Sequence, residues 1–179
     1  MRLSNDQYEF IKGEVVALFE RYDVRCIPIS GFELAFKMGI QMIPYSSLNH
    51  MKQTAALTIS SDGFYMEDQY SNDIIFYNDS VAYDRMNMTV MHEIGHCVLD
   101  HRGETEEEAE ASFFAKYAMA PPPLVNRICP RSPSDIEIVF NISHTAAEFA
   151  YTYYQKWLRY GRSSFTDYEI RLIRLFSAA

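Results

Sequence analysis

Hydrophobic residues recur every three or four positions near the start of the chain, within residues 6–22. Residues three and four apart share one face of an α-helix, so this pattern predicts an amphipathic helix with one side against a core. The apolar positions are Phe10, Val15, Leu18 and Phe19.

The next apolar segments are shorter. Ser30 precedes residues 31–39 and suits the N-cap of a short helix, because its hydroxyl can accept a hydrogen bond from the first turn. Residues 40–47 predict a strand, and residues 48–60 predict a further helix.

Two runs rich in aromatic and β-branched residues follow, at residues 63–68 and 73–79. The polar segment 69–72 separates them, so the two runs predict a pair of antiparallel strands joined by a turn.

Two consecutive helices come after the strands. We expect the first to begin near Asp84 as a cap and to end near Gly103, because glycine favours the left-handed conformation after a helix. The second is predicted over residues 105–119, and the prolines at 121–123 prevent its continuation.

This order of helices, a small antiparallel sheet and two more helices is typical of the α+β class. We expect residues 1–120 to form the core that carries the chemistry. Residues 121–179 are predicted to form a helical lobe packed on that core in one compact unit, with a tight turn at 141–143.

Composition and charge narrow the function classes. The chain has 179 residues, 48% of them hydrophobic, and a net charge of −8, which disfavours binding to nucleic-acid phosphates. No apolar leader or run of membrane-spanning length is present, so we expect a cytoplasmic protein. Three cysteines at wide spacing, interpreted as buried thiols, suit a reducing compartment.

The predicted long helix carries the motif HExxH, with His92, Glu93 and His96. Positions i and i+4 share a helix face, so the two imidazoles can bind one ion. Glu93 lies about 100° round the helix from His92, where it can reach a water molecule at that ion. A catalytic Zn²⁺ site requires one more protein ligand and an open position.

The same helix does not supply that ligand. An extended HExxHxxGxxH motif needs histidine at position 102, where the chain has Arg102. On a continuous helix His101 would face away from His92, so we expect it at the helix C-terminus or on the surface.

The second helix opens with several glutamates. Glu104, Glu106 and Glu108 suit a solvated first turn, in which Thr105 and Glu108 could form a capping box. Glu110 differs, because it shares a face with apolar residues, and a carboxylate on a buried face is expected to be paired or metal-bound. Those residues are Phe113, Phe114 and Tyr117.

Helix length favours Glu110 as well. At about 1.5 Å per residue, His96 lies roughly 9 Å before the end of the first helix and Glu110 roughly 7 Å after the start of the second. A tight turn at 102–104 would make the two helices antiparallel and place His96 and Glu110 at the same height along them. Glu107 stays an alternative ligand nearer the turn.

These residues resemble the ImmA/IrrE family of metallo-endopeptidases, whose pattern is HE-x-GH-x-x-L followed by E-A-N-x-F-A-x-x-L-L-M-P. Here residues 92–99 read HEIGHCVL, and residues 110–115 read EASFFA, followed by KYAMAP. The resemblance covers most of residues 25–158. The chain departs from the family pattern at two places. Ser112 stands where Asn is common, and the segment YAMAP, a less apolar patch, stands where LLMP is usual.

The resemblance implies a zincin-like core with one zinc ion bound by His92, His96 and Glu110, and with Glu93 as the catalytic base. It also implies a protein substrate, a helix-turn-helix repressor of a phage or other mobile element. An oxyanion donor is expected too, and Tyr83, Tyr117 and His144 are the candidates that spacing leaves open.

Two other functions are compatible with parts of the sequence. Residues 135–153 have the rhythm of a DNA-binding helix-turn-helix, but the second helix begins without Arg or Lys, and residues 133–179 hold five acidic and five basic side chains. Direct DNA binding is therefore disfavoured. The alternative to a protease is a zinc-binding regulator that binds or sequesters a repressor without cutting it.

Overall fold

The computed structural model describes residues 3–101, 105–160 and 164–177, with side chains for all of these except residues 105 and 106. Contacts divide the chain into two units. One comprises residues 30–115, and the other comprises residues 1–29 and 116–179. The α+β class predicted from the sequence is confirmed.

The unit of residues 30–115 contains both helices and strands. Its elements are α2 (Gly31–Met38), β1 (Gln41–Pro44), a 3₁₀ turn (Tyr45–Ser47), α3 (His50–Ile59), β2 (Gly63–Glu67), β3 (Asp73–Tyr77), α4 (Tyr83–Val98) and most of α5 (Thr105–Met119). The predicted caps are partly confirmed: the Ser30 hydroxyl accepts from the Glu33 N–H, while Asp84 lies inside the first turn of α4.

The sheet has the order β1-β3-β2. Strands β2 and β3 pair in antiparallel fashion, as predicted, with Tyr65 opposite Ile75. Strand β1 pairs in parallel with β3, so the sheet is mixed rather than purely antiparallel. This order leaves β2 at one edge of the sheet among the described residues.

Helix α4 is held by its apolar face. Val90, Met91 and Ile94 are fully buried, as is Ile75 in the central strand. Asn87 fixes the start of α2, because its Oδ1 accepts the N–H of Gly31 at 2.7 Å. These contacts anchor the part of α4 that lies next to the two histidines.

The other unit is helical. Its elements are α1 (Asn5–Arg21), the end of α5, α6 (Pro122–Arg127), α7 (Pro133–Phe140), α8 (His144–Tyr160) and α9 (Asp167–Ser177). Phe19 of α1 packs against Phe176 of α9, with ring centroids 6.2 Å apart. The contact-based units thus group α1 with the C-terminal helices, whereas the sequence placed the division at residue 120.

Two smaller expectations, on the burial of the cysteines and on membrane-spanning segments, have different outcomes. All three cysteines are free thiols, but Cys26 and Cys129 are exposed and only Cys97 is half-buried. Within the described part of the chain, no helix has the length and apolar character required to cross a membrane.

Candidate metal centre

Two imidazoles lie side by side on one face of α4, and each is partly buried. The Nε2 atoms of His92 and His96 are 3.1 Å apart, and their rings meet nearly edge to face. The opposite face of the helix carries the buried residues Val90 and Ile94. The i, i+4 spacing therefore aims both nitrogens into one cleft, as the sequence predicted.

A carboxylate from α5 completes the group. Glu108 Oε2 lies 3.4 Å from His92 Nε2, and Glu108 Oε1 lies 3.3 Å from His96 Nε2. Among the described residues, His92, His96 and Glu108 form the cluster that could hold a metal ion.

The spacing of these donors fits a tetrahedral ion. Two donors that bind one Zn²⁺ at about 2.0–2.1 Å lie about 3.3–3.4 Å apart across a tetrahedral angle. The two imidazole nitrogens are 3.1 Å apart, close to that value, and each of them lies 3.3–3.4 Å from a different oxygen of Glu108. One ligand atom from each of the three residues can be chosen so that all lie within 4.8 Å of one another. Neutral imidazoles and a carboxylate are also donors that zinc accepts.

Charge on His96 would oppose metal binding, and the site disfavours that charge. Burial, reinforced by the neighbouring His92, lowers the pKa of His96 to about 4. The imidazole is therefore neutral at physiological pH, as a metal ligand must be.

Glu93 lies beside the histidines but has a different environment. Its side chain is buried, and its Oε2 accepts the backbone N–H of Tyr65 at 2.9 Å. Burial raises the pKa of Glu93 to about 7, and the hydrogen bond from Tyr65 offsets part of that rise. A carboxyl group with a pKa in this range can both accept and return a proton.

Glu110, the ligand predicted from the sequence, is not in this cluster. Its Oε2 lies 3.0 Å from Nε2 of His101. Positions 108 and 110 are about 200° apart round a helix, so the two carboxylates leave α5 in different directions. The assignment of Glu110 as a ligand stays a prediction, and Glu108 is the carboxylate that the geometry places at the imidazoles.

His101 does lie at the C-terminus of α4, but the expectation that it points away from the histidines or lies on the surface is wrong. Its side chain is only 4% exposed, and its Nδ1 lies 3.0 Å from Nδ1 of His96. The helical projection failed because α4 ends at Val98 and Asp100 adopts a left-handed conformation, with φ 53°. The chain therefore turns back instead of continuing the helix.

Other predictions for this region have mixed outcomes. Gly103, the turn at 102–104 and Glu104 lie outside the described residues, as do the side chains of Thr105 and Glu106. Glu107, the alternative ligand, is half-buried and not part of the histidine cluster found in the described residues.

The three candidate oxyanion donors occupy different places. Tyr83 is the first residue of α4 and stacks on Phe32. Tyr117 is buried in the part of α5 that belongs to the helical unit. His144 also belongs to that unit, and its Nδ1 lies 2.7 Å from Oε2 of Glu137. The role of each stays a prediction.

Tyr65 is the tyrosine that the structure places in the cleft wall. Its hydroxyl donates to Asp73 at 2.6 Å. Burial raises the pKa of Tyr65, and the Asp73 carboxylate raises it further. The sequence predicted a strand over residues 63–68, but nothing in that pattern singled out Tyr65 as a residue of the site.

The cleft itself has a volume of about 1030 Å³. Strand β2 forms one wall and α4 forms the floor. Its charged lining is acidic, and the described lining residues include no lysine or arginine. The lining carboxylates besides Glu93 are Asp62, Glu67, Asp100 and Glu108.

Comparison with known proteins agrees with this geometry. The profile of a peptidase family described as the IrrE N-terminal-like domain matches residues 42–153, which include β1 from its second residue, β2, β3, α4 and α5. No curated protein matches the chain.

Proposed function

Because the chain belongs to the IrrE N-terminal-like family of peptidases, which is of the metallopeptidase type, we propose that it is a zinc-dependent endopeptidase. The observation that carries the proposal is the convergence of His92, His96 and a carboxylate of α5 beside the buried Glu93. A structural zinc site would not require that fourth group, and it usually has a closed shell rich in cysteine.

The proposed ligands are the two histidines and one glutamate of α5. Glu110 is the ligand implied by the family resemblance, and Glu108 is the one favoured by the geometry of the cluster. Zinc is proposed as the ion because two imidazoles and one carboxylate form a typical catalytic zinc set with an open position.

Glu93 supplies the acid–base chemistry in this proposal. When bound, the ion supplies Lewis acidity, which activates water and polarises a peptide carbonyl. Glu93 accepts a proton from the attacking water and returns it to the nitrogen of the leaving amine. During both proton transfers, the backbone N–H of Tyr65 keeps the Glu93 carboxylate oriented toward the cleft.

The proposed substrate is a helix-turn-helix repressor encoded by a phage or other mobile element. Such a DNA-binding protein carries basic side chains, which the acidic walls of the cleft would attract. An extended segment of the substrate could pair with β2, whose outer edge borders the cleft.

A cytoplasmic location is also proposed. The three cysteines are free thiols, two of them exposed, which suits a reducing compartment.

The test is a cleavage assay with purified proteins. The chain is incubated with zinc and a small helix-turn-helix repressor from a neighbouring gene, and fragments are identified by mass spectrometry. Defined fragments that disappear with a chelator support the proposal. A stable complex without fragments would instead favour a regulator that binds the repressor without cutting it, and the absence of both would overturn the proposed substrate.

A further inference from the structure

The backbone of β2 turns alternate residues toward β3 and toward the outer edge of the sheet. Just before β2, the N–H of Asn78 donates to the carbonyl of Asp62 at 2.8 Å. Just after it, the N–H of Asp68 donates to the carbonyl of Asn72 at 3.0 Å. Because N–H and C=O groups alternate between the two edges of a strand, the odd-numbered residues of β2 point outward, where the strand borders the cleft.

Two of the outward N–H groups are already used inside the protein. The N–H of Gly63 donates to the hydroxyl of Ser60 at 3.1 Å. The N–H of Tyr65 donates to Oε2 of Glu93 at 2.9 Å. An extended peptide that lies beside β2 therefore cannot accept a hydrogen bond from either residue without displacing Ser60 or Glu93.

The third outward residue, Glu67, differs from the other two. Within the described part of the chain, its backbone N–H has no acceptor. Glu67 is exposed, whereas Gly63 is buried and Tyr65 is half-buried, so access to the outer edge increases along β2. At Glu67 both a backbone donor and a backbone acceptor are open to a second strand.

We propose that Glu67 anchors the substrate through backbone hydrogen bonds in both directions, while Tyr65 contributes its carbonyl alone. This inference rests on the proposed function, because the bound strand is the segment to be cut. The occupant is an extended peptide antiparallel to β2, since antiparallel pairing is the more stable kind. Two of its N–H groups donate to the carbonyls of Glu67 and Tyr65.

This pairing sets which peptide bond is cut. In a regular ladder the substrate carbonyl opposite Tyr65 would accept the Tyr65 N–H, but Glu93 already accepts it. That carbonyl therefore receives no hydrogen bond from β2 and lies beside the proposed base, so it belongs to the bond that is cut. The residue opposite Glu67 lies two positions earlier in an antiparallel substrate. The strand thus recognises the backbone on the N-terminal side of the cut bond.

The first experiment tests the hydrogen bonds of β2 in the unmodified protein and needs no substrate. Amide hydrogen exchange is followed by NMR and corrected for the intrinsic rate of each residue. The N–H groups of Gly63 and Tyr65 should exchange at least about 10-fold more slowly than that of Glu67, because internal acceptors protect them. If the N–H of Tyr65 exchanges as fast as that of Glu67, the proposed pairing is wrong.

The second experiment removes single N–H groups from the substrate. Short synthetic peptides carry the bond cut in the repressor, or a bond cut in a mixture of random-sequence peptides if the repressor is not cut. N-methylation of the first or the third residue before the cut bond should lower kcat/KM about 3–10-fold, the net value of one hydrogen bond. N-methylation of the second residue is the matched control, because its N–H points away from β2, and it should cost less than about 2-fold.

The third experiment removes the N–H of Glu67 itself. Glu67→Pro and Glu67→Ala both lack the carboxylate, but only the proline variant also lacks the N–H. Proline is tolerated at an edge strand where the N–H points outward, so the variant should fold. It should cut the peptide about 3–10-fold more slowly than the alanine variant. If it does not fold, the exchange and N-methylation experiments still decide the question.

The outcomes separate this inference from the proposed function. If peptides are cut but N-methylation of the second residue is as harmful as that of the first and third, the anchoring role is wrong while the protease proposal stands. The same holds if only N–H groups after the cut bond matter, or if a folded Glu67→Pro variant matches Glu67→Ala. The expected pattern on random peptides alone supports the inference and overturns only the repressor substrate. If nothing is cut, the protease proposal fails and this inference fails with it.

Discussion

The backbone N–H of Tyr65 donates a 2.9 Å hydrogen bond to Oε2 of Glu93. This bond joins the edge strand β2 to the helix that carries both histidines. It also fixes one oxygen of a carboxyl group that is only 7% exposed. In the proposed mechanism, the other oxygen exchanges protons in the cleft.

Replacement of that carboxyl group should separate catalysis from metal binding. Glu93→Gln keeps the shape and an oxygen that can accept the Tyr65 N–H, but it cannot take a proton from water. We expect cleavage to fall by about 10²–10⁴-fold, the usual contribution of a general base. Zinc content should stay close to that of the parent, and both are measured on one preparation.

Glu33→Gln provides the control for this prediction, because it makes the same change on the exposed side of α2, where Glu33 pairs with Lys37. Its cleavage rate should match that of the parent. If Glu93→Gln cuts the substrate as fast as the parent, then Glu93 is not the base.

The two candidate ligands of α5 can be distinguished by a matched pair of variants. Glu108→Gln removes the carboxylate that lies 3.3–3.4 Å from the two imidazoles, so it should weaken zinc binding by more than about 100-fold, the upper range for a supporting partner. Glu110→Gln should weaken binding by no more than about 10–100-fold, as expected for a residue that acts through His101.

Zinc affinity and the visible spectrum of the cobalt-substituted protein measure this difference. The reverse order, with Glu110→Gln losing the ion and Glu108→Gln retaining it, would show that Glu110 is the ligand and that the metal-bound conformation of α5 differs from the one described.

The sequence predicted those parts of the site that depend on local periodicity. The i, i+4 spacing placed His92 and His96 on one face, and the aromatic runs predicted β2 and β3. Both follow from regular backbone geometry, in which the position of a side chain depends only on its distance along the chain.

The sequence failed where the backbone leaves that geometry. His101 could not be placed by helical projection, because a left-handed residue at Asp100, rather than a glycine, reverses the chain. Glu108 resembled a solvated first-turn residue, and it is indeed 67% exposed, yet its carboxylate contacts both imidazoles. Only the packing of α5 on α4 reveals that contact.

An ion pair also ties the edge strand region to the start of α4. Arg85 donates to both carboxylate oxygens of Asp62, at 2.6 and 2.9 Å. The hydrogen bond from Arg85 lowers the pKa of Asp62 below its ordinary value. A lowered pKa means that the pair stabilises the fold above the ordinary pKa of aspartate and that this contribution is lost as pH falls through the folded value.

Asp62→Asn should therefore reduce the free energy of unfolding at pH 7 by no more than about 1 kcal/mol, because both side chains are partly exposed. The difference from the parent should begin to shrink as the pH falls below the ordinary pKa of aspartate, and it should approach zero once the pH is below the lowered folded pKa of Asp62. Urea unfolding at several pH values measures it, with Arg85→Gln and the double variant completing a cycle. A difference that stays constant with pH would rule out the ion pair as its source.

Gly95, between the two histidine turns, controls how closely α5 approaches α4. A Cβ atom at Gly95 would lie 3.1 Å from Cδ1 of Phe114 and 3.3 Å from the Cα of Ala111. The second of these is backbone, so it cannot move without shifting the helix that carries Glu108 and Glu110. A larger side chain at Gly95 therefore affects both packing and the metal centre.

We expect Gly95→Val to lower the free energy of unfolding by about 1–3 kcal/mol, the usual cost of an overfilled core. Zinc affinity should fall with it, because displacement of α5 moves the carboxylate away from His92 and His96. Gly13→Val is the matched control, since it places the same side chain in α1 where nothing lies within 4 Å of the added Cβ. It should change stability by no more than about 0.5 kcal/mol. If both valine variants unfold at the same urea concentration as the parent, then Gly95 does not set the spacing of the two helices, and the close contact with Ala111 is easily relieved.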